Sequence, residues 1–95
     1  MRKPAFLITI DTEEDNAWGP PRTDPTRNAG FLPRFQLLCE AHGLRPTYLV
    51  DYPMAISREF RDFGGELLRR QAGELGMHLH AWNTRDRPGR PIGAE

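Results

Sequence analysis

Apolar and polar positions divide this chain into alternating segments. Ala5-Phe-Leu-Ile-Thr-Ile10 is a short β-branched apolar run, which predicts a strand buried on both faces. It stops at Asp11-Thr-Glu-Glu-Asp-Asn16, and from there to Asn28 the Pro, Asp, Thr, Arg and Gly content is that of a loop. Phe31, Leu32, Phe35, Leu38 and Cys39 recur at helical spacing, with Pro33 acceptable only near the helix start and Gly43 placed as a C-cap. Pro46-Thr-Tyr-Leu-Val50 predicts a second strand, ended by Asp51-Tyr-Pro53. Ser57 is placed to cap a second helix whose apolar face is Phe60, Phe63, Leu67 and Leu68. Gly64 and Gly65 fall in its middle, a cost of about 1 kcal/mol each against Ala that predicts a bent or split helix. Leu75 to Ala81 predicts a third strand, and Thr84–Glu95, rich in Arg, Pro and Gly, reads as a disordered tail.

Strand, helix, strand, helix, strand with short connections is the order of an α/β fold, a parallel βαβαβ unit built from right-handed crossovers. The expected organisation is one domain over residues 1–83 and the tail over 84–95. Composition narrows the function classes. The 95 residues carry 13 Lys and Arg against 13 Asp and Glu, so no basic excess marks a nucleic-acid or anionic-membrane surface. The single Cys excludes an internal disulfide framework. The apolar run at Ala5–Ile10 is far shorter than a membrane span or a signal-peptide core, so the expected location is the cytoplasm and no membrane span is expected.

Chemistry in parallel α/β folds gathers at the carboxyl ends of the strands. Those ends carry Asp11 to Asp15, Asp51, and His78-Leu-His-Ala-Trp-Asn83. On a strand His78 and His80 face the same side and can converge on one divalent ion; a chance His-x-His on a solvent-facing edge is the plain alternative. His42, near a helix C-terminus, sits at a favourable dipole position and has no site role. Asp11, Glu13, Glu14 and Asp15 place four carboxylates in five positions, and a metal ion or simple solvation would relieve their mutual repulsion. Asp11 and Glu13 share a face if strand geometry persists. One carboxylate with two His is a facial ligand set for Zn, Fe, Co, Mn or Ni. A second carboxylate that does not bind the metal can act as general base on the metal-bound water.

Phe6-Leu-Ile-Thr-Ile-Asp11, Arg45-Pro-Thr-Tyr-Leu-Val50 and Glu74-Leu-Gly-Met-His-Leu-His80 together resemble the polysaccharide deacetylase (NodB-homology, carbohydrate esterase family four) group, over roughly residues 5 to 83. The resemblance implies a distorted (β/α) barrel that removes acetyl groups from sugars with a divalent metal, zinc first and Co, Mn, Ni or Fe as substitutes. It makes Asp11 the general base. Thr12 stands where the family's metal-binding Asp would be, so the carboxylate ligand shifts to Glu13, with Asp15 as substitute, beside His78 and His80. Trp82 stands where the family's second His falls, four residues after His78. Both departures resemble the branches tied to capsule or lipopolysaccharide biosynthesis, which points to a cell-surface saccharide. Trp18 and Trp82 are candidates for a sugar-stacking platform, loop packing being the alternative for Trp18.

Three parallel strands cannot close a barrel, which takes about eight. The chain is therefore expected to be the first part of such a barrel, a truncated form whose open sheet self-association or a partner chain would complete. The family's general-acid His and its arginine and tryptophan motifs have no counterpart in the sequence. A catalytically inactive metal- or sugar-binding fragment is the alternative function. A receiver-type phospho-acceptor domain is the third, weakened because His78 and His80 stand where it needs an Asp.

Overall fold

The computed structural model describes residues 3–19, 26–87 and 90–91. Among them the elements are β1 (Thr9–Thr12), a 3-10 turn (Arg27–Phe31), α1 (Leu32–Ala41), β2 (Thr47–Val50), α2 (Tyr52–Ile56), α3 (Arg58–Arg69), β3 (Glu74–Met77), β4 (Arg85–Arg87) and β5 (Arg90–Pro91). The first three strands form one parallel sheet in the order β1-β2-β3, with Asp11 opposite Leu49 and Leu49 opposite Gly76. The chain is thus α/β, with helices between the strands of a parallel sheet. Within the stretch read as a tail, β4 and β5 pair antiparallel, Arg85 with Pro91 and Arg87 with Arg90. Residues 88–89 and 92–95 lie outside the described residues.

The core lies on one face of the sheet. Tyr48, Val50, Met54, Phe60 and Leu67 are buried together, with Ile10, Leu32, Phe35 and Phe63 packed around them. Tyr48 is completely buried, its ring edge-on to Phe35 and Phe63. Its hydroxyl donates to Gln36 Oε1 at 2.8 Å, and Gln36 Nε2 donates to the Ala72 carbonyl at 3.0 Å, so this polar pair inside the core is satisfied. Burial holds the Tyr48 phenol well above its ordinary pKa.

Local chemistry explains the helices. Ser57 accepts from the Phe60 N–H and opens α3 as its sequence position predicts. Gly43 ends α1 at a φ of +69°, a conformation that suits glycine. α3 runs unbroken through Gly64 and Gly65, against the bend the propensity cost predicts. At Gly64 a Cβ would sit 3.3 Å from Leu75 Cδ1 and from Phe60 Cε1, so the missing side chain lets α3 approach β3 closely.

Three further expectations are corrected. The first strand is Thr9–Thr12, not Ala5–Ile10, and it is not buried on both faces: Phe6 and Leu7 are 75% and 82% exposed. β1 is an edge strand whose pairing with β2 begins where the Thr47 N–H reaches the Ile8 carbonyl, so the apolar residues before it have no ladder to join. The third strand ends at Met77 rather than Ala81, because its last bond to β2 is the His78 N–H to the Val50 carbonyl and β2 stops there. The segment read as a simple strand end, Asp51-Tyr-Pro53, instead opens the short helix α2, capped by the Asp51 carboxylate. The sheet leaves Leu75 and Met77 of β3, and Leu79 just beyond it, exposed beside a groove of about 550 Å3 lined by Phe60, Gly64 and Leu68.

Candidate metal centre

The site forms where the three parallel strands end. Thr9, Asp11, Leu49 and Gly76 occupy the face of the sheet away from the core, by the two-residue alternation of strands. Glu13 follows β1 by one residue and His78 follows β3 by one, so both leave the sheet on that open face. Backbone bonds fix the take-off of each segment. The Asp51 N–H donates to the Thr12 carbonyl at 3.1 Å, and the His78 N–H donates to the Val50 carbonyl at 2.9 Å. Beyond β3 the N–H groups of Asn83 and Thr84 both reach the His80 carbonyl, closing a turn that holds His80 near the sheet.

Glu13, His78 and His80 come together there. Glu13 Oε1 lies 2.6 Å from His78 Nε2 and 3.3 Å from His80 Nε2, and the two Nε2 atoms are 3.1 Å apart. These three atoms form one compact triangle of donors. Ligands bound to zinc at about 2.0–2.1 Å stand about 3.3–3.4 Å apart in a tetrahedron, and cis ligands of an octahedral ion stand about 3.0 Å apart. The triangle fits one face of either polyhedron once its closest pair, Glu13 Oε1 and His78 Nε2, opens by about 0.4 Å for the octahedron or about 0.7 Å for the tetrahedron. Two imidazole nitrogens and one carboxylate also match the donor preference of a borderline transition metal rather than of Mg or Ca. Glu13, His78 and His80 can thus hold a divalent metal ion.

No protein-family model, curated protein or solved structure matches this chain.

The other acids are drawn apart, which removes the crowding that the sequence suggests. Asp15 accepts from the N–H groups of Arg27 and Asn28, at 3.1 and 2.8 Å, and ties the loop to the 3-10 turn. Asp15 therefore stands outside the donor triangle, and Glu13 fills the carboxylate place. Glu14 Oε1 accepts from Asn83 Nδ2 at 3.2 Å. Asp11 is exposed on the open face with Oδ1 3.8 Å from His78 Nδ1, on the side of the ring opposite Nε2.

The two tryptophans reach the same rim. The Trp82 ring stacks on His80 with centroids 4.5 Å apart and planes 12° from parallel. Trp18 lies 4.5 Å from Trp82 at a tilt of 54°, and the Trp82 indole N–H donates to the Ala17 carbonyl at 3.3 Å. Trp18 remains 77% exposed and Trp82 48% exposed, so the pair forms an open aromatic wall beside the donor triangle. His42 sits at the end of α1 with Nδ1 3.0 Å from the Leu38 carbonyl and takes no part.

The sequence places Asp51 and Asn83 at the same sheet edge but assigns neither a chemical role. Both are buried at the base of the site. The available signal was Asp51 directly before Tyr52-Pro53, an N-cap followed by proline in the first turn, but nothing in the sequence placed Asn83 against it.

Proposed function

We propose that this chain is a metal-dependent hydrolase module that removes acetyl groups from a saccharide of cell-surface type. The convergence of Glu13, His78 and His80 at one face of a coordination polyhedron carries the reading. It rests on donor atoms from segments 65 residues apart meeting within 3.3 Å. The three residues would hold a zinc ion, or Co, Mn, Ni or Fe in its place. When bound, such an ion supplies Lewis acidity to a carbonyl oxygen and lowers the pKa of a coordinated water.

The chain's own residues account for the remaining parts. Glu13, His78 and His80 present their donors on the open face of the sheet, where a bulky substrate has access. Asp11, exposed on the open face beside His78, is the general base on this reading, and no protein group donates to its carboxylate among the hydrogen bonds described. Trp18 and Trp82 offer flat apolar surface to a sugar ring at the rim. On this reading the βαβαβ arrangement is the first part of a distorted (β/α) barrel and the open face is its inner wall. A second copy or a partner chain then completes that wall.

A second reading is favoured by one observation. The sequence has three His; two are in the donor triangle and His42 is turned into the end of α1. No imidazole is left to protonate a leaving sugar amine. A metal- and sugar-binding module without turnover follows from that. Acetate release from an N-acetylated oligosaccharide, with zinc and after chelation, decides between them. Release that needs zinc and is lost in Asp11→Asn establishes the hydrolase, and zinc binding without release establishes the binding module.

A further inference from the structure

The two halves of the donor triangle are far apart in sequence and, among the described residues, share no backbone–backbone hydrogen bond. Glu13 belongs to the loop after β1, and His78 and His80 to the segment after β3. The strand between them ends in Asp51, whose side chain has no exposed surface. One of its oxygens, Oδ1, accepts from the Met54 N–H at 3.0 Å, which caps α2. The other, Oδ2, accepts from the Glu14 N–H at 3.0 Å and from Asn83 Nδ2 at 3.1 Å. Asn83 Nδ2 also meets Glu14 Oε1 at 3.2 Å and lies 3.4 Å from His80 Nδ1. An N-cap needs only the first of these contacts. The other oxygen faces away from α2 and binds one group from each loop that carries a donor.

We infer that Asp51, acting through Asn83 and the Glu14 amide, is the positioning residue that sets the spacing between Glu13 and the two histidines. This rests on the metal-site reading above and deepens it. The physical reason lies in the carboxylate. It is acceptor-only and has enough lone pairs for all three donors at once, so the Glu14 and Asn83 donors are held a fixed distance apart across β2. A neutral side chain of one oxygen can keep the α2 cap or hold the loops, and cannot do both. Groups that orient ligands from behind the first layer of donors commonly change metal affinity without touching the metal.

The test separates positioning from general stability. Asp51→Ser retains an N-cap hydroxyl for Met54 but is too short to reach the two loops. Asn83→Ala leaves the Asp51 cap untouched and removes only the link to the β3 side. Ser57→Ala removes the cap of α3 and none of the contacts of Asp51 Oδ2 or Asn83, and serves as a control for stability loss. Zinc affinity is read by competition with a chromophoric chelator, and the melting midpoint of each variant is read without metal. The expected result is a loss of about 10–100-fold in zinc affinity for Asp51→Ser and Asn83→Ala, with Ser57→Ala unchanged in affinity while it melts lower. Wild-type affinity in Asn83→Ala overturns the inference, and so does an equal loss in Ser57→Ala. If Asp51→Ser does not fold, Asn83→Ala alone decides. Wild-type protein that binds no zinc overturns both this inference and the metal-site reading. Zinc binding that is lost in His80→Ala but kept in Asp51→Ser and Asn83→Ala overturns this inference alone.

Discussion

Zinc should stabilise the folded chain strongly, and the donor geometry sets the size of the effect. The three donor atoms already stand 2.6, 3.1 and 3.3 Å apart. Reaching the tetrahedral edge of about 3.3 Å requires the closest pair to separate by about 0.7 Å and the others by about 0.2 Å or less. That is a side-chain adjustment, so little binding energy is spent on rearrangement, and the unfolded chain offers no such triangle. At free zinc 100-fold above its dissociation constant, binding to the native state alone adds about 2.7 kcal/mol. For a domain of this size each kcal/mol moves the melting midpoint by about 4–8 °C, so a rise of about 10–20 °C is expected. The assay is a thermal melt followed by circular dichroism, with zinc buffered by a chelator, on wild type, Glu13→Ala, His78→Ala and His80→Ala. The shift should vanish in each variant. A wild-type shift that survives in both His78→Ala and His80→Ala would refute the reasoning, because the metal would then be held elsewhere. Magnesium at the same free concentration should produce no comparable rise, since two of the three donors are imidazole nitrogens.

Other consequences are as direct. Asp15→Ala should leave zinc affinity at the wild-type level while Glu13→Ala abolishes binding, a contrast measured by chelator competition that follows from the ties of Asp15 to Arg27 and Asn28. Tyr48→Phe should cost about 1–3 kcal/mol in urea unfolding, because the buried Gln36 Oε1 loses its donor. Zinc should change the tryptophan emission of the wild type, and most of the change should be lost in Trp82→Leu, since Trp82 is stacked on a donor ring while Trp18 stands 5.5 Å from it. Gly73→Ala should destabilise by about 1–3 kcal/mol, because its Cβ would fall 2.7 Å from the Pro46 carbonyl oxygen, with Leu67 at 3.1 Å behind it; unchanged unfolding would mean that the Pro46 backbone yields freely.

The parts of the fold legible in the sequence are those where one local signal suffices. Ser57 and Gly43 announce helix ends through their own hydrogen bonding and φ preference, and Tyr48 and Val50 alternate as a half-buried strand must. The misreadings occur where a partner decides. Whether Phe6 and Leu7 join a strand depends on how far β2 extends, and β2 begins only at Thr47. Helix α2 has just five residues, too few for apolar periodicity to reveal, and it forms because Asp51 caps it. The donor triangle was legible because its members follow strand ends, where the two-residue alternation still governs which face a side chain leaves from. His78 and His80 meet at their Nε2 atoms although neither lies within β3. The role of Asp51 was not legible, because it depends on Asn83, which is distant in sequence and returns to it only after the turn at His80.

The separation of Glu13 from His78 also has a kinetic consequence. The donors meet only after β1, β2 and β3 have all paired, so the ion can bind only a nearly finished molecule. A partly folded chain lacking β3 offers only Glu13 of the three donors and neither imidazole, so it gains little from zinc. Zinc should therefore slow unfolding far more than it accelerates folding, and lifetime rather than speed of assembly is what the ion confers.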